Sequence, residues 1–229
     1  PPGFGAMLAW QQERRKARQT PPFVHVGTIS SPRYGNPGHG GYLGRNYDPF
    51  LVDDPNSSSF KVDAFSSPDD VDVGRLSDRQ ALLRAVDGFQ ARHENPLPIA
   101  RTHDKFTEQA FSMITSRKAR DAFDIQKESE ATRDRYGRNR VGQGMLLARR
   151  LVEAGVRFVT IKGYIRYGWD HHPEVFPRLR TEVPAYEQGY AALLNDLADR
   201  GMMENTLVIT AGEFGRTPRL NTDARGPGR

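Results

Sequence analysis

Twice in this chain a helical stripe runs into a glycine and then into a β-branched run. Residues 138–154 carry Val141, Met145, Ala148 and Val152 at spacings of four, three and four; Gly155 follows, and "VRFVTIKG" occupies 156–163. Residues 184–200 carry Tyr186, Tyr190, Leu193 and Leu197 at i, i+4, i+7 and i+11; Gly201 follows, and "TLVITAG" occupies 206–212. Apolar positions recurring at three and four mark one face of a helix, and a glycine just past them is the residue that turns the chain at a helix C-terminus. Short runs rich in Val, Ile and Thr read as strands buried between layers. Two strands joined by a crossover helix lie parallel, with a right-handed connection. The predicted class is therefore α/β with a mainly parallel sheet, 156–163 and 206–212 as inner strands and helix 184–200 packed across one face.

The rest of the chain fits around that unit. "FVHVG" at 23–27 reads as a further buried strand, preceded over 4–18 by a short helix with a basic outer face. From 28 to 74 the pattern dissolves into Gly, Pro, Ser, Asn and Asp, which predicts an irregular insertion with a surface role. Ser77 stands three residues before Gln80, a capping box, and opens a helix with Leu82, Val86 and Phe89 on one face. Residues 102–133 predict a pair of shorter helices, with Phe106, Ala110 and Met113 on one stripe. "RYGRNR", with Arg135, Arg138 and Arg140, reads as the charged face of a helix entry.

Composition narrows the function classes. A chain of 229 residues that is 37% hydrophobic and 10% aromatic is enough for a single domain with a sizeable core. No window reaches the ~18 consecutive apolar residues of a membrane span. The formal charge of +5 comes mainly from "RRKAR" and from Arg216, Arg219, Arg225 and Arg229, without interleaved stacking aromatics, so a nucleic-acid partner is not expected. Without cysteine there is no disulfide, thiolate metal site or cysteine nucleophile. No helix-forming run follows the glycines of "GHGGYLG", which rules out a dinucleotide fingerprint. The start "PPGFGAMLAW", with neither an initiator Met nor a leader, and the end soon after a strand-like run suggest an internal segment, incomplete at both ends, of one α/β domain.

In parallel sheets, ligands collect beyond the carboxyl ends of the strands. Asp170, His172 and Glu213 all lie just past predicted strand ends, in "GWDHHPE" and "TAGEFG". A carboxylate and an imidazole there could hold a cation, with His172 neutral. Equally, Asp170 could be the N-cap of a helix whose first turn holds Pro173 and Glu174. Arg216 and Arg219 could clamp an oxyanion in bidentate fashion, or flank a solvated turn before Pro218. His25, His39, His93 and His103 read as structural or solvent-facing, and Trp169 reads as packing.

"ESEATRDRYGRNRVGQGMLLARRLVEAGVRFVTI", "GWDHH", "LLNDLADRGMMENTLVITAGEFGRTPRLN" and "GGYLGRNYDPF" resemble the bacterial family known as domain of unknown function 1501, through nearly all of the chain. That family resembles the alkaline phosphatase and sulfatase superfamily. The resemblance implies a three-layer, alkaline-phosphatase-like fold and a metal-dependent hydrolase of phosphate or sulfate esters. It implies a divalent metal (Zn, Ca, Mg or Mn) on Asp170, His172 and Glu213, and a nucleophile and further ligands upstream of Pro1, so that this segment alone is expected to be inactive. Phe214 stands where the superfamily pattern has a ligating His. The alternative is therefore a non-catalytic exported binding protein on the same fold. A periplasmic or otherwise exported location is implied by the twin-arginine-type leaders of the family. The implied partner is an anionic ester or a sulfated or phosphorylated glycan.

Overall fold

The structure, a computed structural model, describes residues 1–12, 20–27, 38–62, 78, 115–163, 169, 171, 173–212, 215, 218–223 and 226–228. Among these, five helices and a three-stranded parallel sheet make a mixed α/β fold. The elements are α1 (Phe4–Gln12), β1 (Phe23–Val26), β2 (Phe50–Val52), α2 (Arg117–Phe123), α3 (Glu130–Tyr136), α4 (Arg140–Ala154), β3 (Phe158–Ile161) and α5 (Val175–Asp199). A short antiparallel pair, β4 (Asn221–Asp223) and β5 (Gly226–Gly228), stands apart from the sheet.

The sheet order is β2-β1-β3. Val24 sits opposite Phe50 and Val159, and Val26 opposite Val52 and Ile161. The period of two along β1 then divides its side chains between the faces. Val24 and Val26 enter a core with Val52, Leu147 and Leu151, which is where α4 lies. Phe23 and His25 point the other way. There the Phe23 ring meets Phe158 edge-to-face at 5.2 Å and lies against Gly5 of α1, whose hydrogen leaves room a Cβ would fill.

Helix α4 is the hub. Its N-cap Asn139 accepts from the Gly142 N–H at 2.9 Å. It is buried almost continuously from Val141 to Arg149. One stripe faces the sheet, and another joins Tyr136, Ala192, Leu193 and Leu197 in a second core against α3 and α5. Gly144 brings it onto the sheet, since a Cβ there would stand 3.1 Å from Ile161 Cγ2. Both long helices leave through the same device. Gly155 (φ 105°) and Gly201 (φ 65°) donate to Val152 and Ala198, and the next residues, Val156 and Met202, donate to Leu151 and Leu197. These paired 6→1 and 5→2 bonds form the Schellman motif, whose left-handed position glycine occupies without strain.

One charged side chain holds the helices together from inside. Arg149 is 2% exposed. It pairs with Glu128 and Glu153 at 2.8 Å each and with Asp196 of α5 at 3.3 Å. The Tyr136 hydroxyl donates to Asp196 at 3.0 Å, and Arg135 pairs with the same carboxylate. Burial first, then Asp196, pushes the Tyr136 phenol well above its ordinary value. Burial would raise Glu128, yet hydrogen bonds from Arg149 and Arg150 hold it below the ordinary carboxylate value.

Several sequence expectations are corrected. Residues 206–212 are not an inner strand: among the described residues they join no ladder, and Leu207 and Ile209 are 84% and 71% exposed. The alternation is right, because Val208 packs inward against the second core, but alternation fixes which way side chains point and not which backbone they pair with. β3 is the outer strand of the described ladder, half-buried throughout, and the centre belongs to β1. α5 starts at Val175 and runs through Pro184, where the sequence reading placed a helix start; it packs on α4 more than on the sheet. Residues 38–62 are mostly turns, as expected, but Phe50–Val52 is a sheet strand too short to show periodicity. Arg135, Arg138 and Arg140 stand at the entry to α4, as expected, and form ion pairs with Asp196, with Glu130 and Asp134, and with Asp54. The helix expected from Ser77 lies outside the described residues except for Asp78, which is helical, and Phe106, Ala110 and Met113 lie outside them too.

Candidate functional site at the carboxyl end of β3

β3 ends at Ile161 and α5 begins at Val175; between them residues 162, 163, 169, 171, 173 and 174 are described. Within that link the described residues are tightly placed. The Trp169 indole N–H donates to the Gly163 carbonyl at 2.9 Å. His171 is 1% exposed, and among the described residues neither of its ring nitrogens has a hydrogen-bond partner. Its ring stands edge-on to Trp169, with centroids 6.5 Å apart. Pro173 is also buried. Glu174 is the described non-glycine residue with positive φ (56°), a left-handed conformation that costs a side-chain-bearing residue of order 1–2 kcal/mol. Glu174 occupies the N-cap position of α5 with no side-chain cap hydrogen bond, and the helix begins at Val175, so its first turn does not hold Pro173 and Glu174.

Tyr186, on the fourth turn of α5, touches two separate stretches of chain. Its ring meets Trp169 edge-to-face, centroids 5.8 Å apart at 89°, and its hydroxyl is hydrogen-bonded to Thr210 Oγ1 at 2.7 Å. Trp169 immediately precedes Asp170, and Thr210 stands three residues before Glu213. The two segments that carry candidate ligands thus converge on one tyrosine. Asp170, His172, Glu213 and Arg216 themselves lie outside the described residues. Arg219 is described and exposed. Among the described residues no group of three or more His, Asp or Glu is placed to hold a metal.

The remaining histidines divide. His25 Nδ1 is hydrogen-bonded to Thr160 Oγ1 across the β1–β3 pair at 2.7 Å; burial, and then the Lys162 charge, lower its pKa. His39 is not isolated. Its Nδ1 pairs with Asp48 Oδ2 at 3.0 Å, while Asp48 Oδ1 accepts the Gly40 N–H at 2.7 Å, so one carboxylate orients the imidazole and ties the glycine turn. His93 and His103 lie outside the described residues.

Sequence reasoning missed His171 and undervalued Trp169 and Tyr186. His171 sits between two candidate ligands with nothing in its periodicity to mark it as interior. Tyr186 looked like one more member of a helical stripe.

Compared with known proteins, the whole chain, residues 1–229, matches the model of one family, described as "Protein of unknown function (DUF1501)". The chain belongs to that family. Neither the curated proteins nor the solved structures gave a match.

Proposed function

We propose that this DUF1501 chain carries part of the metal site of a hydrolase acting on phosphate or sulfate esters, on a three-layer, alkaline-phosphatase-like fold in an exported protein. What carries the reading is Tyr186: the segment bearing Asp170 and the segment bearing Glu213 meet on its ring and its hydroxyl.

The residues present fit a cation. His171 is buried with both ring nitrogens unpartnered among the described residues, and leaving such polar atoms unbonded costs of order 1–3 kcal/mol. A left-handed Glu174 sits three residues on. A buried imidazole with both ring nitrogens unpartnered among the described residues is a group that a bound ligand would satisfy. Asp170, His172 and Glu213 would hold the ion, two carboxylates and one imidazole. That mixed oxygen and nitrogen set suits Zn or Mn better than Mg or Ca, which prefer oxygen alone. When bound, a divalent cation polarises an ester oxygen and lowers the pKa of coordinated water. His172 must be neutral to ligate. Arg216 and Arg219 neutralise the anionic ester and orient it through paired N–H donors.

Phe214, in place of a ligating side chain, favours a second reading, a non-catalytic binding protein on the same fold. Elemental analysis of the full-length protein, of Asp170→Ala and of His172→Ala, with aryl phosphate and aryl sulfate hydrolysis, separates the two. Metal and hydrolysis lost together in both variants support the hydrolase. Metal without turnover supports the binding protein. A full-length protein without metal after growth with Zn, Ca, Mg and Mn available ends both metal readings.

A further inference from the structure

Helix α1 is apolar on both sides. Gly5, Ala6 and Ala9 are buried, with Gly5 against the Phe23 ring of β1. Phe4, Met7 and Trp10 recur at every third residue and share the opposite arc, where all three are exposed, Phe4 to 79%. The sequence predicts a basic outer face for this helix; as far as Trp10 the structure makes it apolar instead. Tyr42, 81% exposed, extends the patch, because it lies on the helical turn Gly41–Leu43, which packs against α1. Arg45 opens the next turn, which also touches α1; it is exposed, and among the described residues it has no ion-pair partner. Close behind Trp10 in sequence come Arg14, Arg15, Lys16 and Arg18, against one acid, Glu13.

Shape and polarity select the occupant. Rings four-fifths exposed project from the surface, whereas a small ligand binds in a concavity and a single nucleic-acid strand in a groove. Among the described residues neither the Trp10 indole N–H nor the Tyr42 hydroxyl has a hydrogen-bond partner, so each ring offers an apolar body with a free polar tip. That combination suits a lipid interface, where the ring sinks toward the acyl chains and the tip meets the headgroups. The neighbouring cations attract anionic headgroups, and they would repel the same run on a second copy of the chain. We propose that the outer face of α1, with Tyr42 and Arg45, docks on an anionic lipid surface. The attachment lies in the plane of the interface: among the described residues no helix is long and apolar enough to cross a membrane. It needs no metal and is independent of the ester-hydrolase reading.

The test mixes full-length protein with vesicles of phosphatidylcholine, alone or with phosphatidylglycerol, and measures partitioning by flotation. Binding is expected on the vesicles with phosphatidylglycerol, about tenfold or more weaker on phosphatidylcholine alone, and falling as salt is raised. Phe4→Ser with Trp10→Ser should lower partitioning about tenfold or more, and Arg14→Gln with Arg15→Gln about fivefold for each charge. Tryptophan emission should shift to the blue when vesicles are added, and the shift should shrink in Trp10→Phe. Melting curves check that the variants fold, and the Trp10→Phe and arginine variants carry the test if the double serine variant does not. No partitioning onto phosphatidylglycerol vesicles, equal partitioning onto both kinds, or unchanged partitioning in the folded variants overturns the proposal. A dimer in sedimentation velocity that the serine variant dissociates overturns it in favour of a second copy. Single-stranded DNA that binds wild type tighter than the vesicles do, and is lost in the same variant, overturns it in favour of nucleic acid.

Discussion

Gly142 of α4 and Gly189 of α5 meet backbone to backbone: a Cβ on Gly189 would stand 3.0 Å from Gly142 Cα. The contact lets the two helices close over the core formed by Met145, Leu146, Leu193 and Leu197. An alanine at 142 would bring its Cβ 2.0 Å from the Tyr136 carbonyl oxygen, a backbone atom at the end of α3. Helix propensity alone favours alanine by about 1 kcal/mol, whereas overpacking costs about 1–3 kcal/mol or more. Gly142→Ala is therefore expected to lower the denaturation midpoint. Gly144→Ala, facing a side-chain methyl at 3.1 Å, is expected to cost less. An unchanged or raised midpoint for Gly142→Ala would contradict the close approach.

Arg149 predicts an asymmetry between removing a charge and replacing it. With three carboxylates around it and almost no exposure, Arg149→Ala takes one cationic partner from each of Glu128, Glu153 and Asp196, which keep Arg150, Arg200 and Arg135, and should cost about 1–3 kcal/mol. Arg149→Met together with Glu128→Gln should recover part of that loss, because fewer charges are left unpaired. Urea titrations of the single and double variants measure the difference. The pH dependence has a definite sign. Glu128 is held below its ordinary value of 4.5, so its contribution is complete above that value and is lost as pH falls through the folded-state value. Acid unfolding should begin at higher pH in Arg149→Ala.

His25 gives a second pH dependence, nearer neutrality. Its pKa is lowered from 6.5, so the unfolded chain binds the proton more readily than the folded one. The contribution of neutral His25 is complete above 6.5 and is lost as pH falls through 6.5 toward the folded-state value. His25→Gln should flatten the stability profile in that window. A variant profile parallel to wild type would place the pH dependence elsewhere.

Asp48 is predicted to hold the glycine turn. Asp48→Ala removes the acceptor of the Gly40 N–H and the partner of His39, a loss of about 1–3 kcal/mol locally. Amide exchange at Gly40 should quicken sharply, with little change at Leu147. Equal protection of Gly40 in the variant would refute the role.

What the sequence made legible was local. Gly155 and Gly201 announced two helix ends, and both are Schellman turns, because that motif is written within six residues. The strand at 158–161 was legible as a strand but not by its position. A half-buried outer strand and a buried inner one share the same β-branched run, and only the partner Val24–Val26 distinguishes them. β2 was invisible because three residues carry no period, and Pro184 hid the start of α5 because proline normally marks a first turn. At the site, the links from Tyr186 to Trp169 and to Thr210 join residues 17 apart and 24 apart, which no motif records. His171 was passed over because burial of a lone imidazole is decided by what surrounds it, not by its neighbours in sequence.

The bond between His25 and Thr160 spans 135 residues of chain. The contacts of α4 with β3 and α5 span far fewer. Closing the larger loop costs more chain entropy before any contact repays it. We expect refolding to proceed from the 140–202 region outward, with helix formation and the two glycine turns complete while β1 is still undocked. A destabilising change in the second core, such as Leu193→Ala, should then slow refolding. Val24→Ala should leave the refolding rate nearly unchanged and speed unfolding. The centre of the sheet, by this account, is the last part of it to be built.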